Sequence, residues 1–193
     1  MSESAALNYL AGTTDFGDAA AIRLIAAYID AATGTGSPEG VVTAPVGSTY
    51  IDTAATTGAV KWIKATGTGN TGWVVEYGDT GWRQLSSLLI NSWAAGADGL
   101  YVRRRNDYVE WHFNGVTGAA KTAQDMLAAI SGFKPHKVPT YSSPFVYSNN
   151  GNTAQVWHSN TSTIQSSATG SIYGTFGHLT ADAWPSSLPG TAA

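Results

Sequence analysis

The chain has 193 residues, enough for one ordinary domain that buries its own core, and it contains no cysteine. Disulfide frameworks and thiolate metal sites are therefore excluded. Ten basic residues against 13 acidic residues give a net charge of −3, so no overall attraction to nucleic acid or to anionic membranes is expected. No apolar run approaches the roughly 20 residues that span a bilayer, and the sequence predicts no membrane insertion.

Charged residues make up only 12% of the chain, about half their usual share in soluble domains. Surface polarity must therefore come mainly from Ser, Thr, Asn and Gly, which is typical of loop-rich all-β proteins. The shortage of charge also suggests faces that are buried between subunits. The first four residues lack the basic region of a signal peptide, so secretion by the general route is not expected.

The first predicted element is an amphipathic helix over residues 15–32, with Asp15 or Asp18 as its cap. Four apolar residues have the spacing of one helix face: Ile22, Ile25, Ala26 and Ile29. Such a short stripe is marginal alone, so the helix packs either in a bundle of identical helices around a symmetry axis or on the body of its own chain. Residues 1–36 are predicted to be a separate N-terminal region.

A small β module, here termed the collar, is predicted over residues 37–80. It begins with an extended connector at 41–47, because Pro45 has no backbone N–H to offer to a strand ladder. Three runs then have the composition of strands: residues 48–52, 59–64 and 73–77. Three strands are enough for a minimal meander.

Residues 81–193 are predicted to form an antiparallel β-sandwich or jelly-roll head. Strand signals occur at 82–85, 99–104, 108–116, 145–147, 154–157, 163–166 and 171–176. The clearest is in 108–114, where Val109, Trp111 and Phe113 alternate with polar residues, so one face meets a core and the other meets solvent or a partner. Residues 122–130 are predicted to form one or two helical turns. The fold class is thus mainly β.

Two groups of segments resemble proteins of tailed bacteriophages. A module that recurs in their tail and fibre proteins is similar to residues 36–42 (GSPEGVV), 45–52 (PVGSTYID), 62–64 (WIK) and 67–73 (GTGNTGW). The carboxy-terminal domain of fibres from phages of actinobacteria is similar to residues 81–83 (GWR), 101–104 (YVRR), 132–135 (GFKP) and 183–190 (AWPSSLPG). Together these segments extend over residues 36–193.

The resemblance implies a homotrimeric virion protein, namely a tail fibre or receptor-binding protein. Residues 1–36 are then expected to attach to other virion proteins, and the head to face host-surface glycan. The chain departs from long fibres, because it has no extended shaft, no collagen-like repeat and no sustained heptads. A structural virion component, such as a head fibre, a capsid decoration protein or a tail adaptor, stays open as an alternative.

Motifs for catalysis and cofactor binding are weak or missing. Residues 67–72 (GTGNTG) satisfy G-x-G-x-x-G, but a β-like run follows where a phosphate site needs a helix N-terminus, so a hairpin loop is predicted. Neither G-x-S-x-G nor the P-loop pattern occurs. The histidines lie far apart and lack metal-ligand spacing: His112, His136, His158 and His178. No enzymatic activity, cofactor or metal is predicted.

Charged residues of the second half have structural interpretations. Arg103, Arg104 and Arg105 form the one basic run, and in a strand Arg104 takes the face opposite its two neighbours. Pairing across strands or subunits is therefore favoured over a phosphate-binding patch. Glu110 is expected to pair with Arg103 or Arg105. A glycan depolymerase would need two carboxyl groups roughly 5 to 10 Å apart, and substitution of Glu110 or Asp182 would test that function.

Aromatic and amide side chains in the distal half supply the mixture that sugar sites use. Flat rings stack on the apolar side of a sugar, while amides and polar ring edges hold its hydroxyl groups. The candidate glycan-binding residues are Tyr141, Tyr147, Asn149, Asn150, Asn152, Trp157, His158 and Asn160. Core and turn roles stay open for these residues, because Trp157 follows an alternating run and asparagine favours turns.

Overall fold

The computed structural model describes residues 32–96, 98–119, 124–136, 145–148, 153–158, 163–166 and 169–193. Within these ranges the chain is mainly β, as the sequence predicts, with one 3₁₀ turn at Ser86–Leu88 and no α-helix. The predicted helix over 15–32 lies outside the described residues except for Ala32, which begins a strand. The four residues of its apolar stripe are among those outside: Ile22, Ile25, Ala26 and Ile29.

The small sheet has four strands in the order β1-β2-β3-β4. They are β1 (Ala32–Gly34), β2 (Thr49–Asp52), β3 (Ala59–Lys64) and β4 (Trp73–Gly78). The last three form the antiparallel meander that the sequence predicts. The first is an addition that it does not predict, because β1 pairs in parallel with β2. The Gly-rich segment 67–72 joins β3 to β4, so the predicted hairpin loop is confirmed.

Lys64 organises this hairpin loop. Its side chain is fully buried, and Nζ donates hydrogen bonds to the carbonyl groups of Gly69, at 2.7 Å, and of Thr71. The ammonium also lies 5.7 Å from the centre of the Trp73 ring, within the range of a cation–π contact. The loop therefore holds an internal cation, and its carbonyl groups leave it unsuited to an external phosphate.

The small sheet buries one face under the chain segment 36–44. Its core is formed by Tyr50, Ala59, Trp62 and Trp73. Glu39 connects the segment to the sheet, because its carboxylate accepts hydrogen bonds from the backbone N–H groups of Gly72 and Trp73. The Trp73 indole in turn donates to the carbonyl of Val42 at 2.8 Å. The segment and the sheet thus satisfy each other's polar groups.

The large sheet has nine strands in the order β13-β5-β6-β7-β12-β9-β10-β11-β8, and all its pairs are antiparallel. Their bounds are β5 (Arg83–Gln84), β6 (Gly99–Arg105), β7 (Tyr108–Ala119), β8 (Gln124–Leu127), β9 (Phe145–Ser148), β10 (Thr153–His158), β11 (Ile164–Ser166), β12 (Thr169–Leu179) and β13 (Thr191–Ala192). Met126 of the edge strand β8 and Trp111 of the central strand β7 belong to one core. The sheet therefore curls around that core, which is compatible with a sandwich-like fold.

Strand β7 has the two faces that its sequence predicts. Val109, Trp111 and Phe113 are almost fully buried, and the residues between them lie on the opposite face. Gly115 has a positive φ of 74° and lies where the pairing with β12 shifts register. A strict alternation from Phe113 would place residue 115 on the buried face and residue 116 on the outer face. The bulge adds one residue to the strand, so Val116 lies on the buried side instead.

The prediction of helical turns over 122–130 is wrong for the described part of that segment. Residues Gln124–Leu127 form strand β8, which pairs with β11. Met126 and Leu127 are both buried, and Leu89 forms a bridge with Leu127. Pairing with strands distant in sequence outweighs the weak local preference for helix, because it buries both side chains and completes the backbone hydrogen bonds.

The two sheets meet at a junction built around Arg104 and Trp184. Arg104 lies on β6 and is 5% exposed. Its guanidinium donates hydrogen bonds of 2.6 to 3.0 Å to the carbonyl groups of Asn106, Gly132, Asp182 and Ala183. It also lies 4.8 Å from the centre of the Trp184 ring, and the Trp184 indole donates to Thr57 of the small sheet's β2–β3 loop. This chain of contacts holds the sheets together.

Candidate functional site

The glycan-binding residues predicted from sequence fall largely outside the described structure. Those outside are Tyr141, Asn149, Asn150, Asn152 and Asn160. Tyr147 belongs to β9, and Trp157 and His158 belong to the adjacent strand β10. Only backbone positions are described for these three, so their grouping into a sugar site stays a prediction.

The described residues place a different set of aromatic side chains on the outer face of the large sheet, opposite its core. On strands β6 and β7, Tyr101 and His112 lie directly opposite each other, and Thr175 of β12 is the neighbour of His112 on the other side. Because side chains alternate along a strand, these residues face away from the buried Val102 and Trp111.

An open pocket of about 390 Å³ lies on this face, here called the aromatic pocket. It is lined by Trp82, Tyr101, His112 and Ala193. The His112 ring lies 6.3 Å from the Trp82 ring at an interplanar angle of 67°, and 6.2 Å from the Tyr101 ring at 48°. Because the three rings are inclined to one another, they form the walls of a shallow cup rather than a flat stack.

The polar groups of the aromatic pocket are only partly engaged. The Gln84 amide donates to the Tyr101 hydroxyl at 3.4 Å, which is a long hydrogen bond. Among the described residues, neither the indole N–H of Trp82 nor a ring nitrogen of His112 has a hydrogen-bond partner. Partly exposed rings with unused polar edges are what a ligand with hydroxyl groups needs.

Sequence reasoning missed this set because its members lie apart along the chain. Trp82 precedes β5, Tyr101 is on β6 and His112 is on β7. The alternation within 108–114 does assign His112 to the polar face of its strand. What could not be read from the sequence is the register, which places Tyr101 opposite His112 and Gln84 opposite Tyr101.

Arg103, Arg105 and Glu110 on the outer face take part in ion pairs, and the predicted division of the basic run is confirmed. Arg103 donates to both carboxylate oxygens of Asp79, and this hydrogen bonding lowers the pKa of Asp79 below its ordinary value. Arg105 and Glu110 approach to 3.7 Å, as predicted. Arg104 takes the opposite face, where it is buried.

A second concave region lies between the sheets and is here called the junction groove. Its volume is about 580 Å³, and its lining includes Trp62, Trp73, Arg104, Asp182 and Trp184. Asp182 accepts hydrogen bonds from the backbone N–H groups of two residues, Gly132 and Lys134. Burial lowers the pKa of Arg104 to about 10, so its guanidinium stays charged at neutral pH. Unlike Asp182 and Arg104, Trp62 has an unsatisfied polar group, since its indole N–H is buried without an acceptor in the described part of the chain.

The carboxylates proposed as a test of glycan cleavage occupy separate environments. Glu110 lies on the outer face in its pair with Arg105, whereas Asp182 supports a turn at the junction. Among the described residues no cluster of three or more His, Asp or Glu side chains is suited to holding a metal ion. No helix in the described ranges is long and apolar enough to cross a membrane.

The chain matches no protein-family profile, and neither a characterised protein nor a solved structure is significantly similar to it. The likeness to phage fibre proteins therefore depends on the sequence segments quoted above. The geometry of the outer face supplies the independent argument about function.

Proposed function

We propose that the protein is a bacteriophage virion fibre protein, a trimeric tail fibre or receptor-binding protein that recognises glycan on the host surface. In this proposal the large sheet is a sandwich or jelly-roll head, and residues 1–36 attach it to other virion proteins. The observation that carries glycan recognition is the aromatic pocket of Trp82, Tyr101 and His112, which lies beside two ion pairs.

The pocket provides the contacts that a sugar ring requires. The C–H groups on the apolar side of the ring pack on an indole or phenol face, and the Gln84 amide and the ring edges exchange hydrogen bonds with hydroxyl groups. One such shallow site binds weakly. Several copies on one particle raise the avidity through effective concentration, so no single site needs high affinity.

A host-adsorption assay tests this function. The purified full-length protein is expected to bind host cells and to compete with virions for adsorption, and Trp82→Ala is expected to weaken this competition about tenfold. Tyr108→Ala is the matched control, because Tyr108 is an exposed aromatic residue on the same strand as His112 but outside the pocket. Failure of the wild-type protein either to bind cells or to compete would refute the proposal.

The trimer is tested separately by light scattering. The expected mass is three times that of the 20.1 kDa chain. A stable solitary chain at working concentration would remove the trimeric arrangement from the proposal, while leaving the pocket's role to the adsorption assay.

Exposed apolar side chains on the collar favour the second candidate, a structural virion component without receptor binding. Val41, Val46, Val74 and Tyr77 are between 47% and 75% exposed, which is typical of a surface that meets another protein. Labelling on intact particles separates the two candidates. Location at the capsid or a tail joint, together with normal adsorption of particles carrying Trp82→Ala, would favour the structural role.

A further inference from the structure

We propose that the aromatic pocket selects an uncharged saccharide and discriminates against acidic glycans, an inference that rests on the proposed function and specifies its ligand. The carrying observation is that the outer face presents aromatic rings and the Gln84 amide next to two ion pairs, a hydrogen-bonded one between Arg103 and Asp79 and a looser one between Arg105 and Glu110.

The ion pairs border the pocket closely. Arg103 is two residues from Tyr101, and Glu110 is two residues from His112, in each case on the same face of the sheet. Two residues along a strand cover about 7 Å. The charges of these pairs therefore lie within the reach of a sugar substituent bound between the rings.

Arg103, the arginine nearer the pocket, is engaged by a carboxylate, whereas Arg105 is half exposed and lies 3.7 Å from Glu110. Arg103 donates through its Nε and Nη2 groups to the two oxygens of Asp79. Arg83, next to Trp82, donates instead to the carbonyl groups of Pro189 and Gly190. A sugar carboxylate or phosphate that bound one of these paired arginines would displace the protein carboxylate from its ion pair. That carboxylate would then lie unpaired beside the anionic sugar, and the two negative charges would repel each other.

The other polar groups around the pocket are neutral and can form hydrogen bonds with the hydroxyl groups of a sugar. The Gln84 amide, the Tyr101 hydroxyl and the Trp82 indole N–H are neutral donors or acceptors, and Thr175 lies opposite His112 on β12. The volume of about 390 Å³ is near the lower end of the range for small-molecule sites. The pocket therefore fits a short saccharide unit at a chain end or branch.

The test divides the ligand by its charge. Cell-wall polysaccharide of the host is separated by anion exchange into a neutral and an acidic fraction, and each competes with host cells for the full-length protein. The neutral fraction is expected to compete at a concentration at least tenfold lower than the acidic one. Its potency should not change between 20 mM and 500 mM salt, because no ion pair with the ligand is formed.

One variant within the pocket and one matched control outside it accompany the competition. Trp82→Ala is expected to weaken competition by the neutral fraction about tenfold, whereas Tyr108→Ala leaves it unchanged. Stronger competition by the acidic fraction, with potency that falls as salt rises, would overturn the inference while the glycan function stands. If neither fraction competes, glycan recognition itself is refuted, and the inference falls with it.

Discussion

The junction around Arg104 and Trp184 and the aromatic pocket are built from similar residues, yet they use them in opposite ways. At the junction, Arg104 is buried and Trp184 is partly buried, and the hydrogen-bonding groups of both meet partners within the chain. In the pocket, Trp82 and His112 are partly exposed and lack hydrogen-bond partners among the described residues. Polar groups satisfied internally hold a fold together, whereas partly exposed groups with unused polar edges are available to a ligand.

The same contrast occurs between two histidines on neighbouring strands. His112 of β7 faces outward into the pocket. His178 of β12 lies on the core side, where a ring nitrogen is 3.1 Å from the carbonyl oxygen of Phe133. Burial lowers the pKa of His178 because a charged imidazolium is poorly solvated there. Residue type alone therefore says little about role, and the face of the sheet decides it.

The largest effect is expected from breaking the junction. Arg104→Ala removes a guanidinium that serves four carbonyl groups, and it should lower the free energy of unfolding by roughly 2 to 4 kcal/mol. Urea denaturation measures the change. Arg105→Ala is the matched control, since its side chain is 55% exposed, and a change within about 0.5 kcal/mol is expected. Equal effects of the two variants would contradict the structural role of Arg104.

Trp82→Ala should separate binding from stability. Adsorption to host cells is expected to fall about tenfold, because a ring of the pocket is lost, while the urea midpoint stays close to that of the wild type. The same measurements on Arg104→Ala should show a large fall in the urea midpoint and a smaller change in adsorption. A large loss of stability in Trp82→Ala would instead assign this tryptophan to the fold.

The lowered pKa of His178 predicts how the stability of the fold depends on pH. Its pKa in the folded state lies below the value of about 6.5 expected in the unfolded chain. Between these two values the unfolded chain binds more protons, so the free energy of unfolding falls as pH decreases through this window. Urea midpoints at pH 7.5, 6.5 and 5.5 should show this fall, and His178→Gln should flatten it. An unchanged slope in the variant would assign the dependence to other groups.

The smallest expected effect tests the paired charges of the outer face. Asp79→Asn frees the guanidinium of Arg103, and competition by the acidic polysaccharide fraction should improve several-fold at low salt. Lys61→Gln is a control, because it opens a different ion pair, with Glu76 on the small sheet. No change in Asp79→Asn would mean that the paired acids do not govern the pocket's selectivity.

Local sequence patterns predicted the elements whose cause is local. The alternation of Val109, Trp111 and Phe113 identified β7 and its buried face, and three runs with the composition of strands identified the meander of the small sheet. The β-like run after residues 67–72 correctly indicated a hairpin loop. In each case the side-chain period or the turn residues lie within a few positions of the element that they specify.

Contacts between residues distant in sequence determined the features that local patterns did not predict. The parallel strand β1, the strand at Gln124–Leu127 and the burial of Arg104 all depend on partners elsewhere in the chain. The aromatic pocket likewise exists because strand register brings Tyr101 opposite His112 and because the chain before β5 carries Trp82 to them. The whole core sets the strand register and the packing of one sheet on another. A sequence pattern can therefore predict which face of a sheet a residue occupies, but not which residues lie next to it.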